Sequence, residues 1–162
     1  MADELENLES ETKDDPVTTV DEVKAIRTWL RTCPLINASA PFMIDYFDDD
    51  PTCYAIYSSP SEITYKTDIL GNVYADSVQT KSFYFRVSMP ATADARVMAD
   101  NLELLNGLIT WMQTQALTKN WPAITGYRVI ALLPTLTPYA MQSSTNEMSY
   151  QITIQLRYRK EA

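Results

Sequence analysis

Cys33, Cys53 and the run Asp48-Asp49-Asp50 are the places where chemistry would have to start in this sequence. Histidine is absent, so no imidazole is available for proton transfer, for a nucleophile triad or for a transition metal. Two thiols without a disulfide framework read as small core residues. Three adjacent carboxylates invite calcium, yet a calcium loop needs acids at alternate positions, a central glycine and a distant glutamate. Followed by Pro51, the acids read as a solvated turn. With three glycines in 162 residues there is neither a GxGxxG nor a GxxxxGK[ST] phosphate cradle. A pair of distant carboxylates brought together by the fold would be the one remaining route to catalysis, so a small carboxylate-based enzyme stays as an alternative. The residue types call for no metal and no cofactor.

Charge points the same way. The formal net charge is −8, of which residues 1–16 carry −6 (seven acids against Lys13), leaving −2 for the rest. Residues 1–17 are therefore expected to be an acidic, flexible arm, and 18–162 a single domain. No concentrated basic face for gripping duplex DNA is visible. Lys24, Arg27 and Arg31 are expected to be a solvated helix face rather than a phosphate patch. No apolar run approaches the roughly 20 residues of a membrane helix, and the acidic start is unlike a basic, greasy signal peptide. The expectation is a soluble, unexported chain.

What positions these side chains is a strand and a long helix around a break at Met89-Pro90. Phe83, Phe85 and Val87 alternate with Tyr84, Arg86 and Ser88, the period of a strand with one apolar face. Beyond the break, Met98, Leu102, Leu105, Ile109, Met112 and Ala116 recur in steps of three and four, which predicts an amphipathic helix. Val97, Leu104, Leu108 and Trp111 widen its stripe, and Asp94, Asp100, Asn101, Glu103, Asn106 and Gln113 are expected on the wet side. Upstream, Thr19 and Glu22 have capping-box spacing, opening a helix with Val23, Ile26, Leu30 and Cys33 inward, Trp29 broadening the stripe, and Pro34 as its stop. Phe42 to Phe47 and Cys53 to Ser59 read as strands. Tyr127 to Pro134, densely apolar, is expected inside a sheet. Thr135 to Asn146 reads as a loop, and Met148 to Arg159 as the most regularly alternating strand. The class is α+β.

Glu62 to Leu70 and Val73 to Phe85 flank Gly71-Asn72, a pair suited to positive φ in a tight hairpin turn. A hairpin longer than its sheet can cover projects and meets a neighbour; the other reading is a surface loop. Ile63, Tyr65, Gly71, Asn72 and Tyr74 are the candidate contact residues.

The order of VKAIRTWLRTCPLI (Val23 to Ile36), SFYFRVSMPATADARVMADNLELLNGLITWMQ (Ser82 to Gln113) and SYQITIQLRYRK (Ser149 to Lys160) resembles the minor capsid or tail-completion proteins of tailed phages. That family sometimes bears the name of a chloramphenicol resistance protein, but such acetyl transfer uses a catalytic histidine, which is missing here. The resemblance implies a virion protein of the tail or neck, made in the host cytoplasm. Its implied fold is an antiparallel or mixed sheet of four to six strands with two main helices on one face, here with a projecting β-hairpin. It further implies a tail terminator that assembles as a hexameric ring, contacts tail-tube and head-tail connector proteins, and lets DNA pass without sequence-specific binding. Asp48, Asp49 and Asp50 would then lie near the lumen or an end face. A head-tail stopper or connector, and a monomeric adaptor binding peptides at a sheet edge, are the alternatives.

Overall fold

The computed structural model describes residues 19–45, 53–90, 92–143 and 147–161. The acidic arm and Asp48 to Asp50 lie outside them. The elements run α1 (Thr19–Leu30), β1 (Phe42–Ile44), β2 (Cys53–Ser58), β3 (Tyr65–Thr67), β4 (Val73–Ala75), β5 (Val78–Pro90), α2 (Ala95–Leu117), β6 (Tyr127–Pro134), β7 (Tyr139–Ser143) and β8 (Glu147–Lys160). Among the described residues these make an α+β fold with a mixed six-stranded sheet and a separate two-stranded one.

The main sheet is ordered β1-β2-β5-β8-β6, with β7 also on β8, and only β1 and β2 run parallel. At its centre β5 and β8 pair antiparallel from Val78↔Arg159 to Pro90↔Glu147. Both are long alternating strands, so their register is pinned by the row Phe83, Phe85, Val87 beside Ile154, Ile152, Tyr150; a one-residue slip would turn the three of the slipped strand off the core face. Those side chains face α1 and α2 and join one buried cluster with Val23, Ile26, Leu30, Leu105, Leu108 and Met112. Trp29 and Trp111 meet where the helices approach, ring centres 5.0 Å apart, and Trp29 Nε1 donates to the Asn120 carbonyl at 2.8 Å.

The long helix departs from its predicted stripe. Asp94 caps it by accepting from Arg96 N at 2.9 Å. The buried line runs Asn101, Leu105, Leu108, Met112, while Leu102 is 50% exposed. Asn101, expected in water, is buried because its amide donates to the Pro90 carbonyl at 2.9 Å where β5 ends. With Asn101 turned inward, Leu102 lies outward.

Other expectations also need correction. Tyr127 to Pro134 lies at the sheet's edge, since β8 takes the inner place and pairs β5 on one side and both β6 and β7 on the other. The segment read as a loop contains β7, which lacks alternation but docks beside β8 with a register irregularity at Ala140/Gln142. Arg27 and Arg31 do not simply face water: their guanidinium groups sit 5.7 and 5.5 Å from the Phe42 ring centre. Arg27 Nε donates to the Phe42 carbonyl at 2.7 Å. The strand predicted over Phe42 to Phe47 ends at Ile44, and Asp45 takes a left-handed φ of 54°; Tyr46 and Phe47 lie outside the described residues.

Candidate functional site

The hairpin is shorter and more separate than predicted. Tyr65, Lys66 and Thr67 pair with Ala75, Tyr74 and Val73, and the chain then turns at Asp76-Ser77 before β5 begins. The turn spans five residues, not two. Asp68 builds it: one carboxylate oxygen accepts from Leu70 N and Asn72 N, each at 2.9 Å, and the other from Asn72 Nδ2 at 3.0 Å. These bonds hold the Asp68 carboxyl below the usual carboxylate range, those from Asn72 contributing most. Gly71 has φ +87°, where a side chain would be strained, whereas Asn72, expected to share that conformation, does not.

The base of the hairpin is fastened to the main sheet. Asp76 N donates to Thr64 O at 2.9 Å. Gln79 of β5 accepts from Thr64 N at 3.1 Å and donates to the carbonyls of Thr64 and Asp76 at 3.0 and 2.7 Å. Lys66 and Asp76 pair across it at 3.6 Å. Alternation and register put Tyr65, Thr67, Val73 and Ala75 on one side, and Lys66 and Tyr74 on the other.

Of the residues singled out in the sequence, Ile63, Tyr65, Gly71, Asn72 and Tyr74 are all exposed and all belong to this hairpin or its base. Ile69, 102% exposed, and Leu70, 82% exposed, stand at its tip. They were legible as apolar letters beside Gly71, but only the five-residue turn reveals that they form an apex.

Between the base of the hairpin and the end of the main sheet lies a groove of about 630 Å³ lined by Ile63, Asp76, Lys81, Tyr127, Tyr158 and Lys160, among others. Tyr127 and Tyr158 meet edge to face with ring centres 4.7 Å apart. Lys81 Nζ lies 5.7 Å from the Tyr158 ring centre and donates to both oxygens of buried Glu22 at 3.0 and 2.9 Å. The carboxylate read as half of a capping box thus also anchors α1 to β5; the Thr19 side chain lies outside the described residues. Burial, with the Glu22 charge adding, pushes the Tyr158 phenol up to about 12.

On the opposite face of the sheet, Arg86 lies 4.4 Å from the Tyr57 ring centre and donates through Nε to Gln151 Oε1 at 2.9 Å. Gln151 Nε2 donates to Tyr139 Oη at 2.7 Å. This chain of contacts joins β2, β5, β8 and β7, so the outer face of β8 is partly sealed at Gln151 and Thr153. Cys33 and Cys53 are both buried, and burial raises the Cys33 thiol, which disfavours the reactive thiolate. No group of three or more His, Cys, Asp or Glu among the described residues could hold a metal ion. None of the described helices is long and apolar enough to cross a membrane.

No family model matches the chain, and no curated protein matches it in sequence. Among solved structures it is similar to a chain from the virion of a native gene transfer agent particle, at 16% identity and a TM-score of 0.49, covering 84% of this chain and 92% of that one. A second solved chain, whose name describes no function, is similar at 13% identity and a TM-score of 0.46, covering 88% and 94%.

Proposed function

We propose that the chain is a structural virion protein of a tailed bacteriophage, a tail terminator that closes on itself as a ring at the head-tail junction. The observation that carries this reading is the hairpin. It places Ile63, Tyr65, Ile69, Leu70, Val73 and Tyr74 in solvent, each at least half exposed, on a two-stranded ribbon clamped to a rigid sheet. So many large apolar side chains exposed on one projecting element fit an association surface. The buried thiols and a polar network spent on holding strands together fit a scaffold rather than a catalyst.

In this reading the hairpin touches the adjacent subunit. Asp48 to Asp50 face the lumen or an end surface, where carboxylates let DNA pass without being gripped. A cyclic arrangement repeats one head-to-tail contact, so a modest patch is used once per subunit. Native mass spectrometry tests the assembly. A hexamer of the 18.4-kDa chain, about 110 kDa, is expected, and a monomer at every concentration overturns it. Locating the protein in an electron-microscopy map of the particle tests the place in the tail.

A further inference from the structure

We infer that assembly works as a knob and socket: Ile69 and Leu70 at the hairpin tip seat in the groove at the hairpin base of a second copy. The inference deepens the ring reading above and rests on it. The knob is pre-formed, because the Asp68 carboxylate holds Leu70 N and Asn72 N at 2.9 Å, so little order has to be gained on docking. The socket, about 630 Å³, is lined mainly by apolar surface, including the side chains of Ile63, Tyr127 and Tyr158. Glu62, Lys160 and Glu161 also line it, so it presents both signs of charge around that apolar surface.

The knob cannot fill its own socket. Pairing runs outward from Thr64 and Asp76 to Thr67 and Val73, which puts the tip about 15 Å from the base at strand rise. A tip seated in this groove therefore comes from another copy. With the knob and the socket at different places on one chain, each copy can seat its tip in the next, a heterologous contact of the kind that propagates into a ring or filament. A two-fold pair would instead exchange the two tips reciprocally and stop at a dimer, so that the double-cysteine chain would give linked dimers and no ladder.

Cysteine trapping in the full chain separates these cases, since the native Cys33 and Cys53 are buried. Leu70→Cys and Ile63→Cys variants, both at exposed positions, are made separately and co-expressed, then mildly oxidised. The knob and socket predict disulfide-linked dimers from the co-expressed pair only, no linkage in either variant alone, and a ladder of linked species from the Leu70→Cys/Ile63→Cys chain. Self-linkage of Leu70→Cys overturns the inference in favour of a tip-to-tip contact. An oligomer by native mass that yields no mixed linkage overturns it while leaving the ring reading standing, whereas a monomer by mass overturns both. As an independent readout, Leu70→Asp is expected to lower the mass to that of the monomer with an unchanged far-UV spectrum; retention of the oligomer overturns the inference.

Discussion

Lys81 has charge, packing and position resting on it at once. Its ammonium faces both oxygens of Glu22, a side chain 2% exposed, while a quarter of Lys81 itself reaches water. Removing one partner of a fully buried ion pair costs about 3–5 kcal/mol; with Lys81 partly hydrated, Lys81→Met is expected to cost about 2 kcal/mol, measured by urea unfolding. Tyr158 beneath it supplies a pH signature. Its phenol is raised from 10.0 to about 12, so the folded state favours the neutral form. That stabilisation is complete below pH 10 and is lost as pH rises to about 12, a decline on the order of 2 kcal/mol. Tyr158→Phe should flatten this decline relative to the parent, and parallel curves for the two proteins would show that Tyr158 does not carry it. Neither role was legible in the letters: Glu22 carried the signature of a helix cap, and only the fold brings a residue 59 positions away onto it.

Periodicity read the strands and helices well where packing is one-sided. The faces Phe83, Phe85, Val87 and Tyr150, Ile152, Ile154, Leu156, Tyr158 are buried as their alternation required. Along the long helix it named Leu105, Leu108 and Met112 correctly and erred at two positions, taking Leu102 as inward and Asn101 as outward, because a side-chain bond such as that of Asn101 to the Pro90 carbonyl leaves no mark on the period. Leu105→Ala is therefore expected to cost about 2–5 kcal/mol, and Leu102→Ala less than about 0.5 kcal/mol. Equal losses in thermal or urea unfolding would contradict the observed difference in burial. Strand β7 was invisible although its partner β8 follows it directly in the chain, because nothing in Tyr139 to Ser143 alternates. The turn failed for a related reason: Gly71-Asn72 has the letters of a two-residue connection, but Asp68 offers three acceptor contacts that a five-residue turn satisfies and a tight one does not.

The whole molecule divides into a body that folds around one core and an appendage that adds nothing to it. None of the β3 or β4 residues belongs to the buried cluster, and all of them are exposed. The appendage is also closed at its root, where Thr64 and Asp76 are hydrogen-bonded and both are held by Gln79. Residues 65–75 can therefore be replaced by Asn-Gly, a pair that bridges adjacent antiparallel strands, without pulling on β5. Because association itself raises apparent stability by mass action, the comparison belongs at a concentration where the parent is dissociated. There the shortened chain is expected to melt within about 3 °C of the parent, a shift that corresponds to roughly 1 kcal/mol for a chain of this size. At high concentration the parent should assemble and the shortened chain should stay a monomer. A large fall in melting temperature would make the hairpin part of the fold's stability, and an intact oligomer would move the subunit contact to another surface. The separation bears on the proposed ring: contacts made through an appendage can be tuned or lost while the sheet and its two helices remain unchanged.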